Sequence, residues 1–165
     1  YATLLTGDLA AARRLIDTGL ALVETYALLP AHQYFYSTRG EIALAAGDLN
    51  EAAAFFQQAL ALAEKYDNAT FAANVRAHLG RVAQARGALD EALALLTAAK
   101  AGVTGDIAHH LQTQIDLWLA ELHLQRGERD AAEKSVRLAE TRLAKGEYAA
   151  LQEKARLLRT RLEQL

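Results

Sequence analysis

The sequence contains no cysteine and no methionine, and only one proline and one tryptophan among its 165 residues. Without Cys there is neither a disulfide nor a thiolate metal ligand, a usage that fits an intracellular protein. Met is missing even from position 1, which is Tyr1, so the chain reads as a piece of a longer protein. An excess of charge of either sign is also lacking: 18 Lys and Arg face 20 Asp and Glu, a net charge of −2. That balance leaves no electrostatic footprint of a nucleic-acid or polybasic membrane binder. No stretch approaches the roughly 20 apolar residues of a membrane span, and no signal peptide opens the chain. The expectation is a soluble cytoplasmic protein, with a hydrophobic fraction of 52% that suffices for a core.

What the sequence does have is a repeat. Gly7, Gly47, Gly87 and Gly127 stand 40 residues apart, each followed by a similar run such as Gly47-Asp48-Leu49-Asn50-Glu51-Ala52. Each Gly falls where one helical pattern stops and the next begins, which suits the left-handed residue past a helix C-terminus. Asp48 with Glu51 has the spacing of a capping box. Seven residues before three of the glycines stand Gly40, Gly80 and Ala120; five after them stand Ala52, Ala92 and Ala132, and twelve after stand Ala59, Ala99 and Ala139. Small residues at fixed offsets let antiparallel helices approach closely. Phe56, Leu96 and Val136 lie on the same stripe, so each repeat is a helical hairpin that buries its apolar face only by stacking on neighbours.

The pattern predicts B helices at about 8–26, 48–66, 88–100 and 128–145, and A helices at about 31–46, 69–86, 105–126 and 147–163. Pro30, Asp67-Asn68 and Gly102-Val103-Thr104-Gly105 supply the turns between each B and the next A. The fold class expected is all-α: an α-α superhelix, or right-handed solenoid, of about four hairpins in a single domain over 1–165. Its repeats lie near 1–28, 29–67, 68–103 and 104–146, with a capping helix at 147–165.

Leu79-Gly80, Gly87, Leu89, Ala92, Leu96 and Ala99 together resemble the tetratricopeptide repeat pattern. The period is longer than the 34 residues usual there, and no Pro closes each repeat. Such long-period repeats occur in bacterial signalling ATPases and transcription regulators, in peptide-pheromone receptors and in cell-polarity adaptors. The resemblance implies a non-catalytic protein-interaction module holding a peptide or partner helix in a concave groove lined by A helices. The alternative it implies is the effector-sensing arm of a bacterial signalling ATPase or transcriptional regulator, joined to other domains of a longer chain. In the repeat frame the groove residues are Tyr34, Ser37, Glu41, Asn74, His78, Arg81, Gln114, Leu117, Trp118, Glu121, Lys154 and Arg161. Chaperone-binding members carry a Lys and Asn carboxylate clamp, whereas Ser37, Glu41, His78, Gln114 and Trp118 stand at the corresponding places, which argues against C-terminal chaperone peptides.

Chemistry beyond binding has little foothold. There is no P-loop, dinucleotide turn or nucleophile elbow, so no catalytic residue, cofactor or metal is expected. Asp106, His109 and His110 cluster at helical offsets, with Asp116 and His123 further along, but surface histidines and a first-turn acid explain them. The basic run Lys154, Arg156, Arg159, Arg161 is diluted by Glu147, Glu153 and Glu163 and reads as a solvated face rather than a nucleic-acid patch. Two rows alternate in sign along the 40-residue frame: Glu41, Arg81, Glu121, Arg161 and Tyr36, Arg76, Asp116, Arg156. Both rows are expected to form ion pairs between successive A helices, leaving the groove nearly neutral.

Overall fold

A computed structural model describes residues 8–26, 29–103, 109–144 and 148–164. Among them are eight α-helices and no strand: α1 (Leu9–Thr25), α2 (His32–Ala46), α3 (Leu49–Lys65), α4 (Ala69–Ala85), α5 (Leu89–Gly102), α6 (His109–Gln125), α7 (Arg129–Leu143) and α8 (Ala149–Glu163). A short 3-10 turn, Leu29–Ala31, holds Pro30 ahead of α2. The even-numbered helices are the A helices and the odd-numbered ones the B helices. None of these helices is long and apolar enough to cross a membrane.

The turns explain the boundaries. Gly47, Gly87 and Gly127 have φ of 82°, 79° and 76°, the left-handed conformation that only glycine adopts without strain. At each, the Gly N–H donates three residues back and the following N–H donates five residues back, as in Asp48 N to Ala43 O at 2.9 Å and Glu128 N to His123 O at 2.8 Å. This double closure satisfies carbonyls that the helix end leaves open. The α3–α4 turn uses the same pattern, Asn68 N to Ala63 O at 2.8 Å, with Asp67 at φ 51° in place of glycine. Three helices start on a side-chain cap, with Asp8 accepting from Ala11 N, Asp48 from Glu51 N and Asn68 from Phe71 N, whereas α5 and α7 start at Ala88 and Glu128 without one. The capping box expected at Asp48 is only half formed. Glu51 does not reach back to it, because its carboxylate is taken by Arg39 at 3.0 Å and Arg13 at 2.9 Å.

Hairpins form where small faces large. A Cβ placed on Gly40 would lie 2.7 Å from the Phe56 ring, and one on Gly80 would lie 2.9 Å from Leu96 Cγ. Ala120 and Val136, at the same two positions of the next hairpin, are both fully buried. Ala52, Ala92 and Ala132, with Ala59, Ala99 and Ala139, are likewise at 0% exposure, as their spacing requires. Three apolar clusters result, each built from a hairpin and the A helix that follows: Phe56 with Val75 and Val82, Leu96 with Ile115 and Leu122, Val136 with Leu151 and Leu158. The inner A helices therefore belong to two cores at once, which stitches the stack into one body.

Successive A helices touch one another directly, whereas each B helix is placed mainly between its own A helix and the next. Closer spacing on the A side curves the stack with A inside, which makes a solenoid with a concave A face. On the outer edge, Arg86 at the end of α4 donates to Leu49 O at 2.9 Å and Asn50 Oδ1 at 2.8 Å. Arg126, 40 residues on, reaches Asp90 at 2.5 Å.

The steric pairing has a measurable signature. Gly40→Ala gains helix propensity of about 1 kcal/mol but drives a methyl into the Phe56 ring, which costs about 1 to 3 kcal/mol. The substitution is expected to destabilise the wild-type background and to stabilise a Phe56→Val background. Denaturant unfolding of the four proteins reads this directly, since the propensity gain cancels in the cycle. Equal effects in both backgrounds would exclude the close approach.

Candidate functional site

Helix geometry gives the concave face four rows, and burial shows which way each points. Tyr34, Asn74, Gln114 and Lys154 make one open row, with Tyr34 exposed and the others half-buried. Glu41, Arg81, Glu121 and Arg161 make a second, with Arg161 exposed. Between them Thr38, His78, Trp118 and Leu158 form the floor, where His78, Trp118 and Leu158 are buried. The row of Ser37, Ala77 and Leu117 turns inward: Ser37 is 3% exposed and Leu117 0%. Leu117 packs with Ala132 and Val136 of α7 and Leu158 of α8. Ser37 and Leu117, expected in the groove, are therefore core residues one step round the helix from the open face. Trp118, at 6% exposure, is floor rather than a free anchor.

The floor is an aromatic run across repeats. His78 stacks on Phe56 at 5.1 Å between ring centroids, and its edge meets Trp118 at 5.2 Å. Arg81 and Lys154 lie over the Trp118 ring at 5.7 and 6.0 Å, within reach of cation–π attraction. Both cations also converge on Glu121: Arg81 forms an ion pair with it and Lys154 Nζ lies 3.1 Å away. Burial pushes the Lys154 ammonium below its usual pKa against the pull of Glu121, and Arg81 pushes the same way as burial.

Glu41 Oε1 lies 3.9 Å from His78 Nε2, a distance that suggests an ion pair. The environment opposes one. Burial pushes the Glu41 carboxyl up to about 7, and burial, with the Arg81 charge, pushes the His78 imidazole down to about 4. Between these values the two face each other as neutral acid and neutral base.

The expected charge ladder is present at one rung. Arg81 pairs with Glu121, but Glu41 faces His78 and the place expected for Arg161 is taken by Lys154. The second row does not link A helices at all. Arg76 bonds Glu64 of α3, and Arg156 bonds Glu153 one turn back in α8. Asp116, at 0% exposure, takes Lys100 of α5 at 2.5 Å and Arg142 of α7. Arg76 and Asp116 thus engage flanking B helices, and Arg156 stays within its own helix. The groove is also not neutral: Arg81, Lys154 and Arg161 outnumber Glu121 and a carboxyl of raised pKa at Glu41.

Of the histidine cluster and the residues beyond it, His110, His123 and Asp116 each have a separate partner. Asp106 lies outside the described residues, and Glu147 does too. His110 meets the Tyr148 ring edge at 5.2 Å, His123 Nδ1 lies 2.6 Å from Glu128 Oε2, and Asp116 is engaged as above. Among the described residues no three His, Asp or Glu side chains are grouped for a metal. Sequence reasoning missed Arg39, which is 6% exposed and ties Asp17 of α1 to Glu51 of α3. Leu79 and Leu119 occupy its equivalent positions, so the break in that apolar row was the available signal.

Stacked hairpins with this turn and this small-residue spacing have counterparts. Residues 34–102 match the tetratricopeptide repeat family. The structure is similar to the nearly identical TPR-like repeats of a Podosopora anserina protein described as a kinesin light chain, at 19% identity, over 99% of this chain and 86% of that one, with a TM-score of 0.67. A single-residue variant of the same protein aligns at 18% identity over 98% and 88% of the two chains, with a TM-score of 0.68. At that identity the likeness is one of fold. No curated protein sequence matches the chain. Tetratricopeptide repeats in general mediate protein–protein interaction and are non-catalytic scaffolds.

The Glu41–His78 pair between adjacent hairpins makes opposed contributions to stability. Glu41, raised in the fold, contributes less as pH climbs from its unfolded value of 4.5 to about 7. His78, depressed in the fold, contributes less as pH falls from 6.5 to about 4. Relative to wild type, Glu41→Gln should gain stability across that upper window, and His78→Phe should lose relative stability as pH rises from 4 to 6.5. Each change should reach at least about 1 kcal/mol. Unfolding midpoints across the pH series check this; parallel curves for all three proteins would refute the burial of the pair.

Proposed function

We propose that the chain is an interaction module that holds a peptide or a partner helix along the groove lined by α2, α4, α6 and α8. The observation that carries this reading is the open row Tyr34, Asn74, Gln114 and Lys154, which runs beside the aromatic floor. Among the described residues the Asn74 and Gln114 amides have no hydrogen-bond partner, and a primary amide both donates and accepts. Two such groups on successive A helices suit the main chain of an extended ligand. Tyr34 adds an exposed ring, held at 4.6 Å from Phe71 and through its hydroxyl, which accepts from Asn68 Nδ2 at 3.1 Å. Toward α8 the surplus of cations around Glu121 favours acidic residues in the ligand. Attachment to a signalling ATPase or transcription regulator is the alternative setting for the same groove, with the ligand then acting as an effector.

The test is selection of a displayed random peptide library on the chain. Selected binders should lose affinity by about 1 kcal/mol or more for each of Asn74→Ala and Gln114→Ala, truncations at the open face that leave the fold intact. Trp118→Ala is uninformative because it removes a buried side chain. Undiminished binding by a folded Asn74→Ala, Gln114→Ala double variant would reject the groove.

A further inference from the structure

Away from the groove, α2 and α3 part to leave an open crevice of about 450 Å³. Its lining is His32, Tyr36, Gln58, Leu62, Lys65 and Tyr66, with Ala61 on its wall. The repeat frame shows why it is open. Forty residues beyond Tyr36 stands Arg76, ion-paired to Glu64, and forty beyond that stands Asp116, ion-paired to Lys100 and Arg142. Arg142 is itself the frame equivalent of Leu62. Where α6 and α7 are bridged by a buried carboxylate and a partly exposed guanidinium, α2 and α3 carry a phenol and an isobutyl group.

We propose that this crevice is a binding site for a small aromatic carboxylate. Its lining is aromatic at three positions: Tyr36, His32, whose ring lies 5.9 Å from that of Tyr36, and Tyr66. A guest ring gains offset and edge contacts from such walls beyond what its area alone provides. The cation is Lys65, at the rim with its ammonium 5.7 Å from the Tyr66 ring. Among the described residues Lys65 has no carboxylate partner, and the Gln58 amide in the same lining can donate a further hydrogen bond. The volume falls within the range of small-ligand sites, which join an apolar lining to a few placed polar groups. An aromatic acid thus supplies to Lys65 the anion that Asp116 supplies to Lys100 and Arg142. The site is independent of the groove.

Naphthalene-2-acetate and its uncharged amide, titrated into the full chain by calorimetry and followed by backbone amide NMR, test the assignment. The acid is expected to bind at least about tenfold more tightly than the amide, the size of a hydrogen bond to a charged group. Its shifts should centre on Tyr36 and Tyr66. Lys65→Gln should bring acid and amide to the same affinity. Ala61→Trp, at an exposed position, should abolish acid binding with the melting temperature unchanged. The proposal is overturned if the acid does not bind, if acid and amide bind alike to wild type, or if a folded Ala61→Trp protein retains the site.

Discussion

One steric constraint underlies the rest: each hairpin closes only where a residue with little or no side chain on the A helix meets a bulky one on its B helix. Gly40 under Phe56 and Gly80 under Leu96 are the tight cases, and Ala120 with Val136 exchanges size between the two sides. Helices so close bury one flank of the hairpin and leave the other apolar and bare. The following A helix covers that flank, and it then presents the same problem to the repeat beyond. Stacking, curvature and the concave face follow from this single contact.

Charge refines what shape decides. The half-exposed cluster of Arg81, Glu121 and Lys154 adds about 0 to 1 kcal/mol per pair. It also covers the Trp118 ring, over which Arg81 and Lys154 lie. Asp116 is different, because a fully buried carboxylate between Lys100 and Arg142 stabilises only while both cations are in place. It ties α6 to the B helices on either side. The same inter-helix position thus serves as a structural lock in one repeat and as an open crevice in another.

Much of this was legible in the sequence. The A and B helices fall within a few residues of their expected ends wherever they are described, because positive-φ glycines and buried alanines are dictated by backbone sterics that few residue types satisfy. The B helix at α5 runs on to Gly102, since nothing at Lys100 stops it. What the repeat could not convey was orientation at the scale of one residue. Ser37 and Leu117 differ from the floor positions Thr38 and Trp118 by a 100° turn, and the apolar periodicity around them fits either placement. Nor could it convey the partners of long side chains. Asp116 and Glu51 each bond two other elements and Arg76 one, and the choice depends on which counter-charge the fold leaves nearby.

The arginines at the rim carry one more consequence. Arg86 and Arg126 each precede a left-handed glycine and reach back to the first turn of the preceding B helix, so turn geometry and stacking pitch are set by one residue on the outer edge. The open row on the inner face takes no part in that clasp. Shape and specificity are consequently encoded on opposite sides of the same scaffold, and the inner surface is free to diversify, by evolution or by design, without rewinding the superhelix that presents it.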